Sequence, residues 1–203
     1  ILILGSGGMG KSTLMKHLFL SVFRTSQLIP IFFELKDVNG DSGNLLDCLY
    51  RSVFNLGFTL EKQYFFKSLE YGKFIVFLDG FDEVENSKKQ NIGKEIIEFS
   101  DRYQNNMLVV SSRESSEFRS WSKFKELDIK ALKLQQAIQI INKLEYSKPT
   151  IKKFTTDLEE KLFEANLSFA SNPLLLTIMF MTYNSYAEIP DKQHEFYEAA
   201  FEV

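Results

Sequence analysis

The sequence predicts an α/β chain: a parallel sheet sandwiched by helices, followed by a small all-α domain. Three observations carry this expectation. Short apolar runs of strand length alternate with segments of helical spacing through the first two thirds of the chain. One run enters a glycine-rich loop that opens into a helix, and another ends in acidic residues. After about residue 132 the strand signals stop and only helical spacing remains.

Taken in order, Ile1 to Leu4 is an all-apolar run suited to a parallel strand covered on both faces. Ser12 to Arg24 has helical spacing, with Leu14, Leu18 and Val22 on one face. Leu28 to Leu35 reads as a second strand, with Pro30 near its start, where a missing donor is tolerated. Asp37 to Gly43 reads as a loop, and helices are expected at 44–56 and 60–70. Phe74 to Leu78 is a third strand, Ser87 to Tyr103 a helix, and Met107 to Val110 the start of a fourth strand ending in Ser111-Ser112-Arg113. A polar loop with Trp121 and a short fifth strand near Phe124 to Ile129 follow. Gln135–Leu144, Thr156–Ala170 and Pro173–Tyr183 read as helices, and another begins near Asp191. The expected domains are therefore 1–132, carrying the glycine-rich loop, and 133–203, helical and continuing beyond the last residue.

The 203 residues carry a formal net charge of −3, which offers no broad basic surface for nucleic acid. No run approaches the ~18 apolar residues of a membrane span, and no signal peptide is visible, so a cytoplasmic location without membrane contact is expected. The chain opens without Met and reads as a piece of a longer protein. The single cysteine, Cys48, fits a reducing compartment and reads as a buried apolar residue.

Gly5-Ser6-Gly7-Gly8-Met9-Gly10-Lys11-Ser12 matches G-x-x-x-x-G-K-[ST], set between an apolar strand and an amphipathic helix. The glycines let the backbone wrap a polyphosphate with its N–H groups inward. The following helix offers the phosphates its positive end. Lys11 neutralises the β- and γ-phosphates, and the Ser12 hydroxyl is a hard donor suited to Mg²⁺. Thr13 closes the loop near the α-phosphate. Together these residues point to a P-loop nucleotide site.

The run Phe74 to Asp79 ends in the acid such a site needs, with Asp79 holding Mg²⁺ opposite Ser12. Glu83, or else Asp82, is placed to polarise the attacking water. Either could instead cap the next helix. Arg113, at the end of the fourth strand, is placed to contact the γ-phosphate, unless it pairs with Glu114 or Glu117. Asn172-Pro173 reads as a helix start, with Asn as cap and Pro in the first turn.

Gly5 to Thr13 (GSGGMGKST), Phe77 to Val84 (FLDGFDEV), Ser111-Ser112-Arg113 and Ser171 to Leu176 (SNPLLL) together resemble the NACHT domain of the STAND class of signalling ATPases. Ile189 to Lys192 and Glu195 to Glu198 resemble that family's last helical segment. The resemblance implies ATP and ADP as ligands with Mg²⁺ on Asp79, Glu83 with Asp82 as catalytic acids, Arg113 as sensor, and Pro173 against the base. It further implies slow hydrolysis, ADP holding a closed state, and exchange for ATP driving self-association. Effector and sensor domains would lie in the same full-length chain, serving immunity or antiviral defence. His17 and His194 match no site of that family. The Walker motifs fit equally a turning-over, AAA+-like ATPase that remodels nucleic acid or protein. A kinase on the same fold would need a basic lid, and no arginine cluster follows the fourth strand.

Overall fold

A computed structural model describes residues 1–40, 43–55 and 61–185. By their contacts they form two compact units, one of 1–6 and 11–129, the other of 7–10 and the residues from 130 onward.

In the first unit the order is β1 (Leu2–Leu4), α1 (Lys11–Thr25), β2 (Ile29–Glu34), α2 (Leu45–Asn55), α3 (Lys62–Glu70), β3 (Phe74–Asp79), α4 (Asn86–Arg102), β4 (Met107–Ser112) and β5 (Glu126–Asp128). The five strands form one sheet in the order β2-β3-β4-β1-β5, and every pair is parallel. All six residues of β3 are buried, as an apolar run covered on both faces requires. On one face Ile3, Ile75, Phe77 and Val109 pack with Met15, Leu18 and Phe19 of α1. On the other, Leu4, Val76, Leu78 and Val110 pack with Leu49, Phe65, Ile96 and Phe99 of α2, α3 and α4. Burying each such Phe or Leu is worth ~1.5–3 kcal/mol. Cys48 is buried in this second cluster, as expected.

In this first unit two stretches differ from the sequence expectation. The loop expected at 37–43 is largely a 3₁₀ turn over Leu35–Gly40, because Leu35 and Val38, three residues apart, share one side of such a turn and are both buried. Trp121, expected in a polar loop, is buried at 5% exposure. Phe118, Trp121 and Phe124 recur every third residue. The rings of Phe118 and Phe124 lie 5.0 and 4.9 Å from that of Trp121, and Phe81 joins them at 5.2 Å. That spacing on a turn makes a core face out of a segment that is polar on average.

The second unit holds α5 (Leu134–Asn142), α6 (Lys148–Asp157), α7 (Phe163–Ala165), α8 (Leu167–Ala170) and α9 (Pro173–Ser185). Its core joins Ala137 and Ile141 to Phe154, Leu158, Leu176, Met179 and Phe180. The single helix expected over Thr156–Ala170 is corrected to a series: α6, a π turn at Leu158–Leu162, then the short α7 and α8. The helix begins earlier than expected because Pro149 sits in its first turn, where a missing N–H costs nothing, and Ile151, Phe154 and Leu158 form a buried stripe. The helix expected from Asp191, the 189–198 stretch and His194 lie outside the described residues. Among the described residues no helix is long and apolar enough to cross a membrane.

Candidate nucleotide-binding site

The strand order puts β4 between β1, which leads into the glycine-rich loop, and β3, which ends in Asp79. Parallel register aligns Leu4 with Ser112 and Leu78 with Val110. Gly5, Arg113 and Asp79 to Glu83 therefore leave the sheet at one edge, the carboxyl ends of adjacent strands.

Gly8 and Gly10 adopt φ of 76° and 84°, values that side chains resist. Lys11 begins α1, and its Nζ donates to the carbonyls of Gly5 at 2.8 Å and Ser6 at 3.1 Å. Ser12 and Thr13, in the first turn, are exposed. Their positions leave the first N–H groups of α1 without helical partners, as an anion site requires. The stretch from Gly7 through Met9 to Gly10 belongs to the second unit. There Asn172 Nδ2 donates to the Gly7 carbonyl at 2.9 Å, and Leu174 N–H to that of Gly8 at 3.3 Å.

Asp79 is 6% exposed, and Ser111 Oγ donates to its Oδ1 at 2.5 Å. The same hydroxyl accepts the Gly80 N–H at 2.9 Å. Ser111 thus fixes both the acid and the left-handed Gly80 (φ 79°) that turns the chain out of β3. A Cβ on Gly80 would stand 3.2 Å from Glu83 Cδ, so the Glu83 carboxyl folds back over this glycine. Side-chain alternation sends Ser112 to the opposite face, where its Oγ is buried without a partner among the described residues.

The 3₁₀ turn Phe81–Glu83 separates the two remaining acids. Asp82 Oδ2 forms an ion pair with Arg113 Nε at 2.9 Å, and its Oδ1 accepts from the Arg113 main-chain N–H at 3.1 Å. Glu83 is exposed, and its side chain makes no hydrogen bond or ion pair among the described residues. Neither acid caps α4, whose N-cap is Glu85. Asn39 braces this exit, donating to the Glu83 carbonyl at 3.0 Å and accepting the Glu85 N–H at 2.9 Å. At the end of β2, opposite Asp79 in register, Glu34 pairs with Lys36 at 2.5 Å and Lys16 at 3.5 Å. The Lys36 hydrogen bond holds the Glu34 carboxyl below its usual range, against its partial burial.

The donor set fits Mg²⁺. Asp79 has one oxygen pinned by Ser111 and the other without a hydrogen bond among the described residues, and Ser12 offers a hydroxyl. Ser12 and Asp79 would hold the ion, which would supply positive charge to offset that of the phosphates.

No family model and no curated protein sequence matches the chain. Solved structures do. One is a DNA replication initiation factor at 17% identity and TM-score 0.50, covering 96% of this chain and 67% of that one. Another is C. elegans PCH-2, at 16% identity and TM-score 0.50, covering 100% and 61%. A third is Drosophila ORC bound to DNA, at 12% identity and TM-score 0.60, covering 98% and 59%. The fold is that of a P-loop NTPase. At such identities the likeness is one of fold, and the chain spans about three fifths of the PCH-2 and ORC chains.

Sequence reasoning placed Lys11, Ser12, Asp79, Asp82, Glu83 and Arg113 on the elements that hold them here, and the strand register gathers the acids and Arg113. It expected Arg113 to pair, if at all, with Glu114 or Glu117; the partner is Asp82. Pro173 opens α9, with Asn172 Oδ1 accepting from the N–H groups of Leu174 at 3.1 Å and Leu175 at 3.3 Å, as a helix cap does. Ser111 and Asn39 had no role in the sequence reading, and Asn172 had only that of a helix cap, not its bond to the Gly7 carbonyl. Their signal is only a polar residue at the end of a strand or helix, too common to single out.

Proposed function

We propose that this chain is the ATP-binding and hydrolysing module of a larger protein. Gly5 to Thr13 would hold the phosphates of Mg²⁺-ATP, with Ser12 and Asp79 on the metal side. Glu83 would take the proton of the attacking water, and Arg113 would bind the charge that develops on the γ-phosphate. The observation that carries this reading is the Asp79–Ser111–Gly80 arrangement beside an accessible Glu83, whose side chain makes no hydrogen bond or ion pair among the described residues, at the sheet edge from which Gly5 also leaves. An acid that polarises water must be open to that water, and Glu83 is. The solved structures it is similar to favour a turning-over, AAA+-like ATPase that assembles with copies of itself and acts on nucleic acid or protein.

A second reading is a slow, NACHT-like switch that controls oligomerisation in immunity or defence. The sequence Asp79-Gly80-Phe81-Asp82-Glu83 and the Asn172-Pro173 helix start favour it, with Pro173 against the base. One experiment addresses both readings. The nucleotide that copurifies with the full-length protein is identified, and ATP turnover is measured with and without DNA. Retained ADP with turnover below about one per minute supports the switch. An empty site with faster, DNA-stimulated hydrolysis supports the remodelling ATPase. Absence of any nucleotide binding at millimolar Mg²⁺-ATP refutes the function itself.

A further inference from the structure

Asp82 and Glu83 are neighbours in sequence and both are acids, yet the structure treats them differently. Both oxygens of Asp82 are engaged by one residue: Oδ1 by the Arg113 main-chain N–H and Oδ2 by Arg113 Nε in an ion pair. A carboxylate that grips backbone and side chain of the same residue fixes where that side chain leaves the strand. Its hold through Nε leaves the Nη1 and Nη2 groups without a partner among the described residues. Those are the paired donors that bind phosphate oxygens in a fork. Any water approaching Asp82 would compete with an N–H donor and a guanidinium already in place, whereas Glu83 has no such competitor among the described residues.

We propose that Asp82 is a positioning residue that aims the outer guanidinium of Arg113 at the transferred phosphate, leaving proton removal to Glu83. This rests on the ATPase reading above, and it divides between the two acids a role for which the sequence made both candidates. The Arg113 side chain is 65% exposed and that of Asp82 18%. With its cationic end in solvent the ion pair contributes little to folding, so Arg113→Ala should act on turnover more than on stability.

The test is a double-mutant cycle in the full-length protein, with kcat and KM of ATP hydrolysis measured at steady state. Asp82→Ala and Arg113→Ala should each lower kcat by roughly 10²-fold, the usual effect of losing one donor to developing charge, with KM for ATP nearly unchanged. The double variant should be no slower than Arg113→Ala, because Asp82 acts only through Arg113. Asp82→Asn, which keeps an oxygen for Arg113, should recover part of the turnover that Asp82→Ala loses. Losses that multiply in the double variant, or an Asp82→Asn no faster than Asp82→Ala, would overturn the proposal. So would a lowered melting temperature of Asp82→Ala with kcat intact. Wild-type turnover by Arg113→Ala would overturn it as well while leaving the ATPase reading standing. That reading falls instead if Lys11→Ala still binds ATP.

Discussion

Replacing Ser111 by Ala removes one oxygen that is fully buried and makes two hydrogen bonds. The first is donated to a carboxylate, and losing a bond to a charged group costs about 1.5–3 kcal/mol. The second accepts the Gly80 N–H, and stranding a buried donor costs about 1–3 kcal/mol. Asp79 is not wholly sealed, and its oxygen can recruit water, so the lower end of both ranges applies, giving about 2.5 kcal/mol. For a domain of this size that corresponds to a fall in Tm of ~5–10 °C. The assay is built in. Trp121 is the only tryptophan, buried in the same unit as Ser111, so its fluorescence reports the unfolding of that unit. The same change frees Asp79 to rotate. Loss of a group that orients a metal ligand weakens metal binding by ~10–100-fold, so half-saturating Mg²⁺ for hydrolysis should rise by at least the lower of these. A Tm shift under about 2 °C with unchanged Mg²⁺ dependence would refute the reasoning that Ser111 holds Asp79.

Four further outcomes are expected. Ser112→Ala removes a buried hydroxyl that has no partner among the described residues, so stability should stay level or rise by about 1 kcal/mol, opposite in sign to its neighbour; denaturant midpoints compare the two. Gly80→Ala puts a Cβ at φ 79° against the Glu83 carboxyl, and should cost ~1–2 kcal/mol in stability and slow hydrolysis as well. Glu83→Gln should bind ATP in calorimetry but hydrolyse it ~10²–10⁴-fold more slowly, whereas Lys11→Ala should show no binding. In the second unit, burial and then the hydrogen bond to Asp157 push the Tyr183 hydroxyl up to about 12. Its unfolded value is about 10. The folded form therefore holds the proton more tightly, and helical stability should fall as pH rises from ~10 through ~12. Asp157→Asn should flatten that fall in circular dichroism.

What the sequence by itself determined is whatever is written locally. An apolar run too short for a helix and bounded by glycine or polar residues reads as a buried strand, and β1, β3 and β4 are where those runs lie. The phosphate loop was legible because its residue types are fixed by contact with a ligand of known shape, within eight consecutive positions. Where the reading went astray, the governing fact was an i, i+3 pattern inside a polar segment, as at Leu35 and Val38, at Phe118 and Trp121, and at Ile151 and Phe154. Average polarity hides such a stripe until a partner surface exists to bury it.

Tertiary structure alone decided the pairings inside the site. Ser111 lies 32 residues from Asp79, and the main chain of Arg113 lies 31 from Asp82. Nothing in either segment names the other. They meet because β4 inserts between β1 and β3 in parallel register, which brings the ends of strands distant in sequence to the same edge of the sheet. Two adjacent acids that are chemically alike in the sequence thereby become different groups, one occupied by an arginine and one open to water.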